Sequence, residues 1–214
     1  MTPARASAAR DESEPRRLPP KGERLSASQA ERRRRVVTAA VELASEGGYE
    51  VVQMRDVAAR ASVALGTIYR YFESKDQMLA AALVDWTEQL ERRLEHHPPS
   101  GGTAEERVVE VVRRASGAIE RNQKLSSALV TAVASPDPGI ARYQGEIHEI
   151  LVRILGRALA GMQPARRDGV VRILCNVWFT ALIGWVHGWR AVASIGEELE
   201  FAGRFLLSGQ TSRV

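Results

Sequence analysis

At 214 residues, with 44% hydrophobic and 26% charged side chains, the chain has the length of one large domain or of a small domain fused to a mid-sized one. That composition excludes wholesale disorder and collagen-like repeats. The single cysteine, Cys175, can close no intrachain disulfide, and charges and prolines stand where a signal peptide carries its apolar run, so a reducing, cytoplasmic setting is expected. The net charge of +4 lies in residues 1–75, which hold 14 Lys and Arg against 10 Asp and Glu, while residues 76–214 hold 16 of each sign. A basic first third on a neutral remainder fits a nucleic-acid-facing module on an oligomerising or ligand-binding body, although so small a charge fits an ordinary solvated surface equally well.

Residues 1–25 carry Pro15, Pro19 and Pro20 with no apolar periodicity, which predicts a disordered basic tail. Helical patterning begins at Ser26 or Ser28, runs through Val36, Ala40 and Leu43, and stops at Gly47-Gly48. Residues 54–61 and 64–72 then form two short helical segments separated by a tight turn. Ser74 with Gln77 three residues on reads as a capping box that opens a fourth helix through Leu79, Leu83, Trp86, Leu90 and Leu94, ended at His97-Pro98-Pro99. Further helices are expected over 103–122, 125–134 and 140–159, the last after the turn at Ser135-Pro136-Asp137-Pro138. A long helix over 164–194 and a last one from 197 to 207, separated at Ile195-Gly196, complete about nine helices with no strand.

The 164–194 segment carries two apolar stripes, Val170, Leu174, Val177 and Ala181 on one and Val171, Trp178, Leu182, Trp185 and Trp189 on the other. A helix apolar over so much of its circumference suits a core shared with a subunit interface. Its longest apolar stretch, 173–189, includes Asn176, Thr180 and His187 and is shorter than the roughly 18 to 20 residues of a bilayer span, so no membrane span is expected.

The run from Gln53 to Lys75 carries the function. Val57 and Ala58 point the first short helix inward, small Ala61 admits the second helix, Val63 plugs the turn, and Ile68 and Phe72 bury the inner face of the second helix. Ala64, Leu65, Gly66, Thr67, Tyr69, Arg70 and Tyr71 remain outside, small at the leading end where base edges must be approached and aromatic or basic behind it where phosphates lie. With Gln53, Arg55 and Lys75 they make the candidate DNA-binding set, Thr67 near base edges and Tyr69, Tyr71 and Lys75 on phosphates. A helical adaptor for protein partners would account for the helices and tryptophans but not for this outward face.

Through Gly48-Tyr49, Asp56-Val57-Ala58, Gly66-Thr67-Ile68-Tyr69, Tyr71-Phe72 and Ser74-Lys75, the chain resembles the TetR family of bacterial transcriptional repressors. The resemblance covers residues 28 to 78, with Gln53 where a Thr commonly caps the first helix of the motif and Ser62 where the turn commonly has Gly. It implies an all-α fold, a three-helix helix-turn-helix head over 26–75 and a six-helix ligand-binding and dimerisation body over 76–214. A narrower likeness, through Glu31 to Arg35, Gly47 to Arg55, Val63 to Phe72, Arg121-Asn122 and Asn176-Val177-Trp178, is to actinobacterial repressors of cholesterol and steroid catabolism. It implies a homodimer on a pseudo-palindromic double-stranded operator, released by a hydrophobic effector such as a steroid coenzyme A thioester, with Arg121 or Lys124 near its anionic end. A repressor of another pathway, such as efflux or fatty-acid metabolism, shares the same head and stays open.

If the body packs as in that family, Trp86, Leu90, Leu125, Leu129, Ile147, Leu151, Leu174 and Trp178 line an apolar cavity, or make only core. Trp185, Trp189 and Phe201 are the candidate dimer anchors. Adjacent helical residues diverge, so His96-His97 reads as a helix-end pair and at most two of Arg32 to Arg35 can face DNA. His148 is a lone histidine with a secondary reading as a pocket residue, and Cys175 reads as a small buried packer. No glycine-rich phosphate loop and no metal-ligand motif occurs, so neither enzyme activity, nor a cofactor, nor a metal is expected.

Overall fold

The computed structural model describes residues 26–208, so the expected tail over 1–25 lies outside the described residues. Nine α-helices are formed there: α1 (Ala27–Gly47), α2 (Met54–Arg60), α3 (Leu65–Tyr69), α4 (Lys75–His96), α5 (Ala104–Arg121), α6 (Gln123–Val133), α7 (Ala141–Ala158), α8 (Pro164–Val186) and α9 (Val192–Leu207). A single 3-10 turn, Pro138–Ile140, leads into α7, and no strand occurs among the described residues.

The head closes around side chains that its own three helices and the first turn of α4 bring together. Val36, Ala40 and Ala44 of α1, Val57 of α2, Ile68 of α3, Phe72, and Met78 and Leu79 of α4 are all sealed from solvent. Ser26 opens α1 with a reciprocal capping box to Gln29, and Gly48 closes it at φ 79°, a left-handed conformation that glycine adopts without a Cβ clash. The turn between α2 and α3 is a Schellman motif: the Ser62 amide donates to the Ala59 carbonyl at 3.2 Å and the Val63 amide to the Ala58 carbonyl at 3.1 Å. Ser62 holds the left-handed position at φ 53°, the one non-glycine residue with positive φ among the described residues. Gln53 offers α2 no side-chain cap and instead donates to the Glu50 carbonyl.

In the body, α4 packs against α6 and α7, α5 against α9, and α8 against α9 and α7. Thr103 caps α5 through a capping box with Glu106, and Asn122 both ends α5 and caps α6. Ser74 caps α4 at the Gln77 amide, but the Gln77 side chain does not return the bond: it turns to the Glu73 amide, the Glu73 carboxylate and Asp137. The expected capping box is therefore half formed, because a carboxylate 60 residues away claims the amide. Glu91 fastens α4 to α7, its two oxygens accepting from Arg153 at 2.9 Å each and one also from Arg157 at 3.0 Å. Those guanidinium bonds, Arg153 first, hold the Glu91 carboxyl below its ordinary range.

The last two helices depart from expectation. α8 ends at Val186, because Gly188 takes φ 77° and returns the chain so that Trp189 and Arg190 lie over Gly184. Trp189 therefore sits in the turn rather than on α8. Ile195-Gly196 does not interrupt α9: Ile195 is fully buried, and a Cβ on Gly196 would lie 3.2 Å from Ser116 Oγ, so this glycine serves the close approach of α9 to α5. α8 as a whole is also long and apolar enough by length and composition to cross a membrane, against the expectation drawn from residues 173–189 alone. In this fold its apolar surface is divided between the core, a cavity wall and an outer face shared with α9.

A left-handed serine costs about 1–2 kcal/mol of steric strain, partly offset by the freedom glycine loses on folding. Ser62→Gly is therefore expected to stabilise the protein by about 0.5–1 kcal/mol, and Gln53→Thr, by supplying the missing cap, to add about 1 kcal/mol, both read by thermal unfolding. Glu91→Gln should cost about 1–2 kcal/mol at neutral pH, since the half-exposed guanidiniums keep part of their hydration. Because folding lowers the Glu91 pKa, its contribution is complete above the ordinary value of 4.5 and is lost as pH falls through the folded pKa. Denaturant unfolding over pH 3 to 7 should thus show the gap between wild type and Glu91→Gln closing at the acid end.

Candidate functional site

The head presents α3 outward. Ala64, Gly66, Tyr69 and Arg70 are exposed, Leu65 and Thr67 are half-buried, and Gln53 and Arg55 are exposed at the start of α2 beside them. A five-residue helix with glycine and threonine in its first turn lets the backbone come close to a surface, and Tyr69 and Arg70 flank it with a hydroxyl and a guanidinium.

Two members of the candidate set have other engagements. The Tyr71 hydroxyl is turned inward, buried without a hydrogen-bond partner, so in this conformation it is not offered to a phosphate. Arg70 lies across its ring face at 5.9 Å from the centroid. Lys75 Nζ sits 3.8 Å from the centroid of the Tyr49 ring and donates to the Tyr49 carbonyl at 3.3 Å, so its ammonium fastens the α1–α2 loop to the start of α4. Burial, together with the hydrogen bond the Tyr49 hydroxyl donates to the Asp76 carboxylate, pushes that hydroxyl above its ordinary range. In the arginine run, Arg32 bonds Ser28, Arg33 covers the Phe72 ring and Arg34 pairs with Glu31, while Arg35 is exposed.

An apolar cavity of about 430 Å³ lies between α4, α5, α6, α7 and α8, within the roughly 300–1,000 Å³ range of small-molecule sites. Seven of the eight expected lining residues meet there: Trp86 and Leu90 from α4, Leu125 and Leu129 from α6, Ile147 and Leu151 from α7, and Trp178 from α8. Leu174 does not line it. Facing a rear recess of about 40 Å³ shared with Leu90, Leu151 and Trp178, it is sealed at 1% exposure because it points from α8 toward α5 and α9 rather than along the main cavity.

His148 lines the cavity, and so does Cys175, whose thiol burial pushes up; neither is simply core. The periodicity missed the polar members Thr87, Asn122, Ser126, Gln144 and Asn176, although each stands next to, or three or four residues from, an apolar lining residue. Of the lining side chains, Gln144, His148, Asn176 and Phe179 are exposed, and all belong to α7 or α8. The cavity therefore opens between those helices.

Among the described residues, no lysine or arginine lines the cavity. Lys124 donates to the Glu46 carbonyl at the end of α1, and Arg121 is exposed outside the lining, so neither of the two positions expected near the effector's anionic end contributes to the cavity wall. Of the candidate dimer anchors, Phe201 is 72% exposed on α9 and stacks on equally exposed Phe205, with Ile173 and Val177 of α8 across a shallow groove. Trp189 is exposed in the α8–α9 turn under Arg190, whereas Trp185, near the end of α8, is partly buried against the core.

Comparison with known proteins agrees with this geometry. Residues 36–82 match the model of bacterial regulatory proteins of the tetR family, and residues 101–206 match a tetracyclin repressor-like C-terminal domain. The chain is 32% identical over 188 residues to the HTH-type transcriptional repressor KstR of Mycobacterium tuberculosis, covering 87% of this chain and 86% of that one. A TetR transcriptional regulator from Rhodococcus sp. RHA1 superposes with a TM-score of 0.74 at 26% identity, covering 86% of this chain and all of the other. The Thermus thermophilus FadR repressor solved with lauroyl-CoA shares the fold at a TM-score of 0.63 and 23% identity, over 85% and 96% of the two chains. The protein belongs to the TetR family of transcriptional repressors, with the KstR repressors among its relatives.

Proposed function

We propose that this repressor acts as a cytoplasmic homodimer on a pseudo-palindromic operator of steroid-catabolism genes and is released by a steroid acyl-CoA thioester. The observation that carries the reading is the position of the cavity: its wall includes Trp86 and Leu90 on α4, the helix whose cap, Ser74, follows the recognition segment. An occupant that favours one setting of α4 changes the spacing of two heads that must lie about 34 Å apart to enter successive major grooves. The thioester's apolar rings suit a lining of mainly Leu, Ile, Val and Trp. With no lysine or arginine among its described lining residues, the anionic coenzyme A portion belongs beyond the mouth, past His148 and Asn176. The likeness to KstR favours a steroid over a fatty acyl thioester. Homodimerisation is assigned to the α8–α9 face, where Phe201, Phe205 and Ile173 leave an apolar groove between two helices.

Operator binding over a salt series tests the head. Arg70→Ala should weaken all sequences alike and lower the salt slope by about 1, whereas Thr67→Val should alter the preference among operator variants. A steroid acyl-CoA thioester should displace the operator at concentrations at least tenfold below free steroids and lauroyl-CoA. Equal potency of lauroyl-CoA would replace the steroid assignment with a fatty acyl one. Phe201→Glu should convert the dimer to monomer at micromolar concentration in analytical ultracentrifugation, and Trp185→Phe should not.

A further inference from the structure

Asn122 occupies three places at once. Its Oδ1 accepts from the Leu125 amide and caps α6, its Nδ2 donates to Ser45 Oγ on α1 at 3.2 Å, and its side chain lines the cavity. Ser45 Oγ in turn donates to the Val41 carbonyl, so the bond from Asn122 ends on the backbone of a head helix. Two residues along, Lys124 donates to the Glu46 carbonyl at 2.9 Å, and both ties hold the first turn of α6 against the last turn of α1.

The other end of α6 is fastened as well. Four residues beyond Val133, Asp137 accepts from Ser74 Oγ at 2.7 Å and from Gln77 Nε2 at 3.4 Å, at the cap of α4. Between these two attachments α6 turns Leu125, Ser126, Leu129, Val130 and Val133 to the cavity. α6 is thus a strut tied to the head at both ends, with one face forming a wall of the cavity.

Position within the cavity separates Asn122 from Gln144, His148 and Asn176, while the inner hydroxyls of Thr87 and Ser126 donate to the Leu83 and Ile119 carbonyls of the helix backbones. Gln144, His148 and Asn176 are exposed and mark the mouth between α7 and α8, whereas Asn122 is half-buried at the α5–α6 junction beside the head. An elongated occupant that enters at the mouth meets the Asn122 carboxamide at its far end. The Nδ2 group there is a donor whose bond to Ser45 an acceptor oxygen on the ligand can share or take.

We propose that Asn122 is the specificity-determining residue of the cavity and the point where occupancy is passed to the head: it selects ligands with a hydrogen-bond acceptor at the inner end of an apolar body, and engaging that acceptor loosens its bond to Ser45. The inference rests on the proposed assignment of the cavity as the effector site and specifies the chemistry of that effector's buried end. One neutral hydrogen bond corresponds to about three- to tenfold in affinity.

The test uses full-length protein, with binding followed by tryptophan fluorescence and release by operator displacement. The probes are a 3-oxo steroid acyl-CoA thioester, its 3-deoxy counterpart, lauroyl-CoA and 12-hydroxylauroyl-CoA. The variants are Asn122→Asp, which keeps an acceptor to cap α6 but removes the donor, and Ser45→Ala, which leaves Asn122 in the cavity. Wild type should bind the acceptor-bearing member of at least one pair three- to tenfold more tightly, and Asn122→Asp should reduce that preference to within twofold. Ser45→Ala should keep the preference while the ratio of operator affinities without and with saturating thioester falls at least threefold. Preference confined to the lauroyl pair would remove the steroid assignment and leave the Asn122 role standing. Equal binding within both pairs, a preference retained in Asn122→Asp, undiminished release in Ser45→Ala, or no binding of any probe would each overturn the proposal.

Discussion

The constraint on which the structure turns is that α4 must complete two interiors at once. Near its start it buries Met78 and Leu79 completely, in the same core as Ile68 and Phe72 of the recognition segment. Farther along, Trp86 and Leu90 wall the cavity, and Glu91 is held by two arginines from α7. A helix with apolar duties at both ends is a rigid connection, so a displacement required by one interior is felt in the other.

Polar groups decide how freely that connection moves. Asp137 is placed by the turn after α6 so that one oxygen accepts from the Gly139 amide and the other from Ser74. The Ser74 hydroxyl, followed by the Gly139 amide, holds its carboxyl below the ordinary range, and Gln77, 4% exposed, completes the cluster. A Cβ on Gly139 would lie 2.2 Å from Gln77 Nε2, so a larger residue there would push the Gln77 carboxamide out of the cluster. The cap of α4 and the end of α6 thus share one carboxylate. Coupling between distant sites typically amounts to about 1–3 kcal/mol, a magnitude within reach of a few such bonds made in one arrangement and lost in another.

The outer side of the body follows a different logic. α8 supplies the core with Val170, Leu174 and Ala181, the cavity with Cys175 and Trp178, and the outer face with Ile173 and Val177. Three demands on one helix explain why it is apolar nearly all round and why its composition satisfies the length and apolarity of a membrane span. Asn176 and Phe179 stand where the cavity mouth meets that outer face, so the way into the cavity runs beside the groove assigned to the second subunit.

The amino-acid order by itself determined the helix-turn-helix, because the constraints there are local. A small residue at Ala61, a left-handed position at Ser62, and Ile68 and Phe72 four apart leave the chain one compact arrangement over about twenty residues. The limits of α1 through α7 were legible within a few residues for the same reason, since caps at Ser26, Ser74 and Thr103 act on amides three positions away. Seven of eight cavity residues were also legible, as the inward stripe of each amphipathic helix.

Tertiary structure alone decided what each buried stripe faces. Periodicity marks Leu174 and Trp178 alike as residues to be covered, but the crossing of α8 over its neighbours puts one in the rear recess and the other in the cavity. It likewise turned Trp185 to the core, left Trp189 in a turn created by Gly188, and enclosed the Tyr71 hydroxyl. The ties from Asn122 to Ser45 and from Asp137 to Ser74 join residues 77 and 63 positions apart. No local pattern announces such bonds, because a polar side chain at a helix end acquires its partner only when packing brings two distant ends together.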